Sequence, residues 1–298
     1  MENGLWIAIF GGLGAMIGWG LADFFAKITI DEVGDIASLA WGHLIGTIAL
    51  IVMFLYAHTF MHRAVTMPHS PTAWILLIVF GIGQAAVYLL VYKGFGKGPV
   101  GILSPLFASF AGITSILSVI FFAEVLTGHL ILGLVTIFVG VIVMNLDIDA
   151  LKNRKVSFLK VPGFSEVAIA TVIGAVWTLL WDQFVGGQDW LIYTLFMYAF
   201  MTLSIFVASY IQKVKLSDVN PSMWKFLALI GICETLAYLA ISYGYSSTDH
   251  TSVVALLSGA FALPTILLAR LFLKEKITAW QTVGGFVVVA GIMILSVL

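Results

Sequence analysis

The stretch Phe272-Leu-Lys-Glu275-Lys-Ile-Thr278 decides the fold, because the chain contains a second version of it, Phe121-Phe-Ala-Glu124-Val-Leu-Thr127, 151 positions earlier. The same offset also matches the flanking sequence without a gap: Tyr92 falls on Tyr243, Thr114 on Thr265, Gly133 on Gly284, and Gly140 on Gly291. A self-match of this length indicates a repeated architecture. The sequence therefore predicts two copies of one structural unit.

The composition of the chain is that of a membrane protein. Of its 298 residues, 61% are hydrophobic and only 10% are charged, whereas a soluble domain is usually about a quarter charged. The 14 basic and 15 acidic residues give no net positive charge, so no nucleic-acid partner is expected. Cys233 is the only cysteine, which excludes a disulfide framework and a cysteine-based metal site. We expect neither a cofactor nor a metal ion.

Apolar runs long enough to cross a bilayer, about twenty residues each, define an all-α polytopic membrane protein with ten transmembrane helices. The predicted helices cover residues 4–26, 35–57, 72–94, 100–122, 128–146, 164–185, 190–211, 222–244, 250–272 and 278–297. The N-terminus lacks the positively charged segment and cleavage site of a signal peptide, so we expect the first helix to be retained.

One long polar stretch divides the chain. Residues 147–163 form a polar linker between a first five-helix repeat, 1–146, and a second, 164–298. Because five is an odd number, the second repeat enters the membrane from the opposite side, and the halves are predicted to be inverted repeats. Transporters commonly use that arrangement, with a binding site near the midplane where the repeats meet.

Basic residues predict the orientation. The loops after the odd-numbered helices contain thirteen lysines and arginines, and the loops after the even-numbered helices contain only Arg63. Because cytoplasmic loops carry the excess of basic residues, we expect both termini on the non-cytoplasmic side of the plasma (inner) membrane.

Several motifs resemble those of a known family. Gly18-Trp19-Gly20 lies near the end of the first helix, and Lys274-Glu275-Lys276-Ile277-Thr278 precedes a last helix containing Gly284-Gly285 and Gly291. With two five-helix repeats, these features resemble the drug/metabolite transporter superfamily, of the EamA type. The resemblance implies a secondary transporter fold over nearly the whole chain. It leaves the cargo open, because similar proteins move amino acids, sugars, nucleotide sugars or organic cations.

Glu234 is the ionisable residue nearest the middle of a predicted helix. Such groups are costly in a membrane, so each is a functional hypothesis by default. Tyr238 and Ser242 follow at i+4 and i+8 and share its face. A carboxyl group there can exchange protons or hold a cation; the alternative is a protonated glutamic acid that is hydrogen-bonded to a neighbouring helix.

Asp23 and Asp182 occupy similar places in the first and sixth predicted helices and are a second pair of acidic candidates. Asp182 is as readily explained by interfacial contacts, and Asp23 by pairing with Lys27 at i+4. His43 is titratable near neutral pH but equally suits a packed histidine.

Aromatic, amide and hydroxyl side chains complete the predicted site. Tryptophan and tyrosine offer stacking and cation–π surfaces, although they also concentrate at membrane interfaces. The predicted substrate-binding residues are Trp19, Asp23, His43, Gln84, Tyr88, Ser104, Trp177, Trp181, Tyr198, Glu234, Tyr238 and Ser258, with Glu234, Asp23 and His43 as proton-coupling candidates.

The sequence thus predicts a secondary transporter that moves a small polar metabolite, such as an amino acid, by alternating access, with proton-coupled efflux as the leading mechanism. A sugar, nucleotide-sugar or organic-cation transporter that works by exchange or facilitated diffusion is the alternative. An intramembrane enzyme is remote, because the sequence contains no clustered nucleophile and base. The expected partners are the bilayer, a small-molecule substrate and protons. A monomer is possible, and a homodimer is also compatible with the sequence.

Overall fold

The computed structural model describes residues 2–95, 97, 100–122, 127–145, 162–273 and 279–296. Glu124, Glu275 and most of the predicted linker lie outside the described residues, as do the side chains of Lys27 and Ser104.

The described residues are helical and contain no strand. The first half of the chain contains α1 (Glu2–Val33), α2 (Asp35–Thr59), α3 (Pro71–Phe95), α4 (Val100–Phe122) and α5 (Gly128–Asn145). The second half contains α6 (Phe164–Val185), α7 (Trp190–Ile211), α8 (Trp224–Ser247), α9 (Thr251–Gly259), α10 (Ala262–Leu273) and α11 (Ala279–Ser296), with a short 3₁₀ turn at Pro221–Met223.

The repeat seen in the sequence recurs in the helices. The offset of 151 positions places the residues of α5 on those of α11, and the residues of α4 on α9 and α10. Similar sequences have therefore formed helices at equivalent positions in both halves.

The helices of the two halves contact each other in matched pairs. In the first half α1 packs against α8 and α9, and in the second half its counterpart α6 packs against α3 and α4. Likewise α2 contacts α8, and α7 contacts α3. Three counterparts contact each other directly: α2 with α7, α4 with α9, and α5 with α11. Helices at equivalent positions in the two halves therefore make equivalent contacts with the other half.

Glycines allow the closest of these contacts. A Cβ atom on Gly140 of α5 would lie 2.6 Å from the backbone nitrogen of Val288, and one on Gly291 of α11 would lie 2.8 Å from that of Ile137. Small residues permit such approach between membrane helices, where van der Waals packing rather than hydrophobic burial drives association. The same seven-residue glycine spacing in both helices, Gly133 to Gly140 and Gly284 to Gly291, thus accompanies the close contact of α5 with α11.

The ninth predicted helix is interrupted. It was expected to run over residues 250–272, but α9 ends at Gly259 and α10 begins at Ala262. Pro264 has no N–H for the carbonyl of Ala260, four residues earlier, and that carbonyl instead accepts from the backbone N–H of Leu263 at 2.9 Å. The Thr265 hydroxyl donates to the carbonyls of Gly20 and Phe261, which ties the break to α1.

The exposed surface of the bundle is strongly apolar. Phe10, Val52, Ile120, Leu203 and Phe286 are each more than half exposed. So many exposed large apolar side chains are unusual on a soluble monomer and suit contact with lipid tails. Within the described residues, seven helical segments are long and apolar enough to cross a membrane, and three further apolar helices are shorter: Leu106–Phe122, Gly128–Val143 and Thr282–Leu295.

Candidate functional site

Glu234 lies inside the bundle, where α8 meets helices of both halves. Its side chain is almost fully buried, with Oε1 3.4 Å from Nε2 of His43 on α2. The Tyr198 hydroxyl, on α7, donates to Oε2 at 3.3 Å. Both distances exceed those of ordinary hydrogen bonds between such atoms. The carboxyl group therefore has one partner from each half and retains hydrogen-bonding capacity.

The orientation of His43 follows from its backbone contact. Its Nδ1 lies 2.9 Å from the carbonyl oxygen of Leu39, an acceptor, so Nδ1 carries a proton. In the neutral imidazole this leaves Nε2 as an acceptor directed at Glu234. The ring also stacks on Tyr198, with centroids 5.2 Å apart and an interplanar angle of 12°. The pair can therefore hold one proton between Glu234 and His43.

A short hydrogen-bonded chain lies beside this pair. The Gln84 amide nitrogen, on α3, donates to the Tyr238 hydroxyl at 2.6 Å. Tyr238 in turn donates to the Tyr88 hydroxyl at 3.4 Å, and Tyr88 packs edge-on against His43 with centroids 5.3 Å apart. We call these residues the central cluster: His43, Gln84, Tyr88, Tyr198, Glu234 and Tyr238.

Trp19 and Asp23, on α1, border the central cluster. The Trp19 ring packs edge-on against Tyr238, with centroids 5.6 Å apart, and Asp23 lies one turn later on the same face of α1. Trp19, Asp23 and Tyr88 are each half-buried. Part of the surface of these three side chains is therefore accessible, on the α1 and α3 side of the central cluster.

The crossing of α2 and α8 sets the distance between His43 and Glu234. A Cβ atom on Gly231 would lie 2.3 Å from the carbonyl oxygen of Gly42, so the backbones are nearly in contact. The Thr235 hydroxyl donates to the Gly46 carbonyl at 3.1 Å and pins the crossing one residue after Glu234. A Cβ atom on Gly231 would also lie 2.7 Å from the nitrogen of Gly46. Gly46 lies three residues after His43, and Gly231 lies three residues before Glu234. Because helical residues three or four apart share a face, this close approach directs His43 and Glu234 into the same interface.

Three buried polar atoms of the site have no hydrogen-bond partner: Oε1 of Gln84, Nε1 of Trp19 and Nε2 of His43. Buried polar groups are normally paired, so each exception calls for an explanation. Nε2 of His43 faces Oε1 of Glu234 at 3.4 Å. The other two atoms offer an acceptor and a donor beside the accessible side of the central cluster.

Charge in this region is one-sided. The charged side chains buried among the described residues are Asp182 and Glu234, and the buried set includes His43 but no lysine or arginine. The site can thus be neutral or negative when His43 is neutral.

The structure brings together seven of the predicted binding residues, namely Trp19 and the six of the central cluster, with Asp23 beside them. The remaining four lie elsewhere or cannot be placed. Trp177 donates to the Phe80 carbonyl at 2.8 Å and stacks on Trp181, which donates to Ser242 at 3.2 Å. Ser258 donates to the carbonyl of Ala255 in its own helix, and the side chain of Ser104 is outside the described set.

Asp182 is separate from the central cluster. It is buried near the end of α6 and accepts from the Thr251 hydroxyl at 2.9 Å, at the first residue of α9. A carboxylate near the N-terminus of α9 interacts favourably with the dipole of that helix. Asp182 therefore joins α6 to α9.

Three threonines near the cluster were not identified from the sequence. The Thr202 hydroxyl donates to the His43 carbonyl at 3.2 Å, and its oxygen lies 2.8 Å from the hydroxyl oxygen of Thr47. The third is Thr235, whose hydroxyl donates to the Gly46 carbonyl. The available signal was the position of Thr47 and Thr235 four residues after His43 and Gly231, on the same helix faces.

The comparison with protein families matches both halves of the chain. A model described as the EamA-like transporter family matches residues 6–146 and again residues 162–297. The chain belongs to the EamA-like transporter family. The resemblance drawn from its motifs is confirmed, and this EamA-like protein is a multi-pass membrane protein of a transporter family built from two repeats.

Two further similarities are consistent with the family. An uncharacterized protein of Methanocaldococcus jannaschii is 28% identical over 141 residues, which are 47% of this chain and 97% of that protein, so that relative is about as long as one repeat. A solved crystal structure superposes with a TM-score of 0.73 at 17% identity and covers 96% of this chain and 95% of the other. At that identity the likeness concerns the fold alone.

Proposed function

We propose that this EamA-like protein is a proton-coupled secondary transporter that exports a small polar metabolite by alternating access across the plasma membrane. The single observation that carries the proposal is the His43–Glu234 pair, which is buried where the two halves meet. An ionisable pair in a membrane interior is costly and is expected to be functional.

The proton chemistry follows from the tautomer of His43. Because Nδ1–H is used by Leu39, the pair has one vacant proton position, between Nε2 and the carboxyl Oε1. Occupied, it makes the pair neutral overall; empty, it leaves one negative charge. A change of one charge in a low-dielectric site alters its affinity for a cargo, which is the requirement for coupling.

The matched contacts between the halves support a rocking motion. We expect ten transmembrane segments in two inverted five-helix repeats, with α9 and α10 together forming one segment, so that the central cluster lies near the midplane. The break between α9 and α10 adjoins Gly20, the residue after Trp19, because a Cβ atom on Gly20 would lie 2.6 Å from the carbonyl oxygen of Phe261. Discontinuous helices at the binding site are frequent in such transporters.

The proposal is tested with Glu234→Gln in proteoliposomes. The amide of the variant cannot exchange the proton, so we expect substrate-driven proton movement to be lost. A pH-sensitive dye measures this movement in the variant and in the unsubstituted protein. Glu166→Gln is the matched control, because Glu166 lies on the protein surface beside Lys97 and should leave coupling unchanged. Undiminished proton movement in Glu234→Gln removes the carboxyl group from the mechanism.

A further inference from the structure

Among the residues whose side chains the structure describes, the central cluster has no lysine or arginine to pair with an anion. Its accessible side is bordered by the Asp23 carboxyl, with Glu234 behind it, and the buried side chains of the described residues include no lysine or arginine. Burying a carboxylate or phosphate without a cationic partner is strongly unfavourable. A bound cation, in contrast, would be attracted by both acids.

The rings around the site also favour a cation. Trp19, Tyr88 and Tyr238 lie within edge-contact distance of one another or of His43, and Trp19 and Tyr88 keep part of their surface accessible. Aromatic faces attract ammonium groups, with tryptophan the strongest, and the same faces accept an apolar body.

Gln84 provides an independent observation. Its side chain is 8% exposed, its amide nitrogen is held by Tyr238, and its Oε1 has no partner. An oxygen of this kind requires an N–H or O–H donor. A primary ammonium group has three N–H donors to offer, whereas a quaternary ammonium group has none.

We infer that the cargo class is a small protonated primary amine with an apolar or aromatic body and no carboxylate. This inference rests on the proposed transport function, for which it selects one substrate class. The ammonium group lies between Asp23, Glu234 and Gln84 Oε1, and the body packs on Trp19 and Tyr88. An amino acid is disfavoured because the one unpartnered donor at the site, the Trp19 N–H, is uncharged.

The test compares ligands that differ in one group. Binding to the purified full-length protein is measured by isothermal titration calorimetry with 2-phenylethylamine, with L-phenylalanine, which adds the carboxylate, and with the N,N,N-trimethyl derivative, which lacks N–H donors. We expect the primary amine to bind at least about tenfold more tightly than either, since hydrogen bonds to charged groups are worth that much. Equal or tighter binding of L-phenylalanine or the trimethyl compound, or no binding of the amine, overturns the inference.

Gln84→Met tests the acceptor directly. We expect it to weaken 2-phenylethylamine about tenfold and leave the trimethyl derivative unchanged. Gln188→Met, in the exposed α6–α7 loop, is the matched control and should change neither. An unchanged affinity of Gln84→Met for the primary amine overturns the role of Oε1. If this variant does not fold, the ligand series on the unsubstituted protein decides alone.

Failure of the cargo class is distinguishable from failure of the transport function. An amine that binds selectively but is not moved in counterflow supports the amine-binding chemistry of the site and contradicts the carrier. Proton-coupled movement of L-phenylalanine without binding of the amine supports the carrier and contradicts the amine as its cargo.

Discussion

At the scale of single residues, His43 shows how one backbone contact defines a proton position. The Leu39 carbonyl holds Nδ1 and leaves Nε2 facing Glu234. A side chain that reproduces the first contact but not the second therefore separates packing from proton exchange.

We expect His43→Asn to abolish substrate-driven proton movement, because the asparagine amide can still donate to Leu39 but supplies nothing at the Nε2 position. The dye assay in proteoliposomes measures the effect. His58→Asn is the control, since His58 is exposed at the end of α2. Proton movement at the unsubstituted level in His43→Asn would show that Glu234 acts without the imidazole.

The Tyr198 hydroxyl gives a prediction on stability. Tyr198→Phe keeps the ring on His43 and removes the donor to Glu234, so we expect a loss of about 0.5–1.5 kcal/mol in the free energy of unfolding. Tyr210→Phe is the control, because Tyr210 is 86% exposed. Denaturation in detergent, followed by circular dichroism, measures both; equal stability of the two variants contradicts the contact with Glu234.

At the scale of elements, the crossing of α2 and α8 depends on glycine. The backbones approach so closely that a methyl group at Gly231 meets the Gly42 carbonyl oxygen and, at 2.7 Å, the Gly46 nitrogen. Backbone atoms cannot rotate away as a side chain can, so the helices themselves must separate.

We expect Gly231→Ala to destabilise the protein by about 1–3 kcal/mol, the usual cost of overpacking, and to weaken substrate binding because Glu234 moves away from His43. Gly128→Ala is the control, since a Cβ atom there has nothing within 4 Å. The melting temperature and ligand affinity of both variants are compared. A Gly231→Ala protein as stable as Gly128→Ala would mean that the crossing is looser than described.

At the scale of the whole molecule, the halves must enter the membrane in a defined order for the central cluster to lie between them. The loop between α6 and α7 and the loop between α7 and α8 are predicted on opposite sides, with the first outside the cell.

We expect a cysteine at Gln188 to react with a membrane-impermeant maleimide in intact cells, and one at Ser217 to react only after permeabilisation. Both residues are exposed. The two variants are made in a Cys233→Ala protein, so that the introduced cysteine is the only one that can be labelled; Cys233 itself is buried. The reverse pattern inverts the orientation predicted from basic residues, and labelling of both sites from outside contradicts the crossing by α7.

The sequence by itself determined the family, the helical class and the repeat. These follow from local patterns: apolar runs, glycine spacing, and a self-match that places α5 on α11. It also indicated Glu234, since a carboxyl group in an apolar run is visible without any partner.

Only the tertiary structure decided which residues meet. Trp19 and Trp177 look alike in sequence, yet one borders the central cluster and the other bonds Phe80. Likewise His43 and Glu234 are 191 positions apart in sequence but meet because Gly42 and Gly231 let their helices touch. Contacts between distant segments depend on which helix faces are small enough to approach, and no local pattern contains the partner.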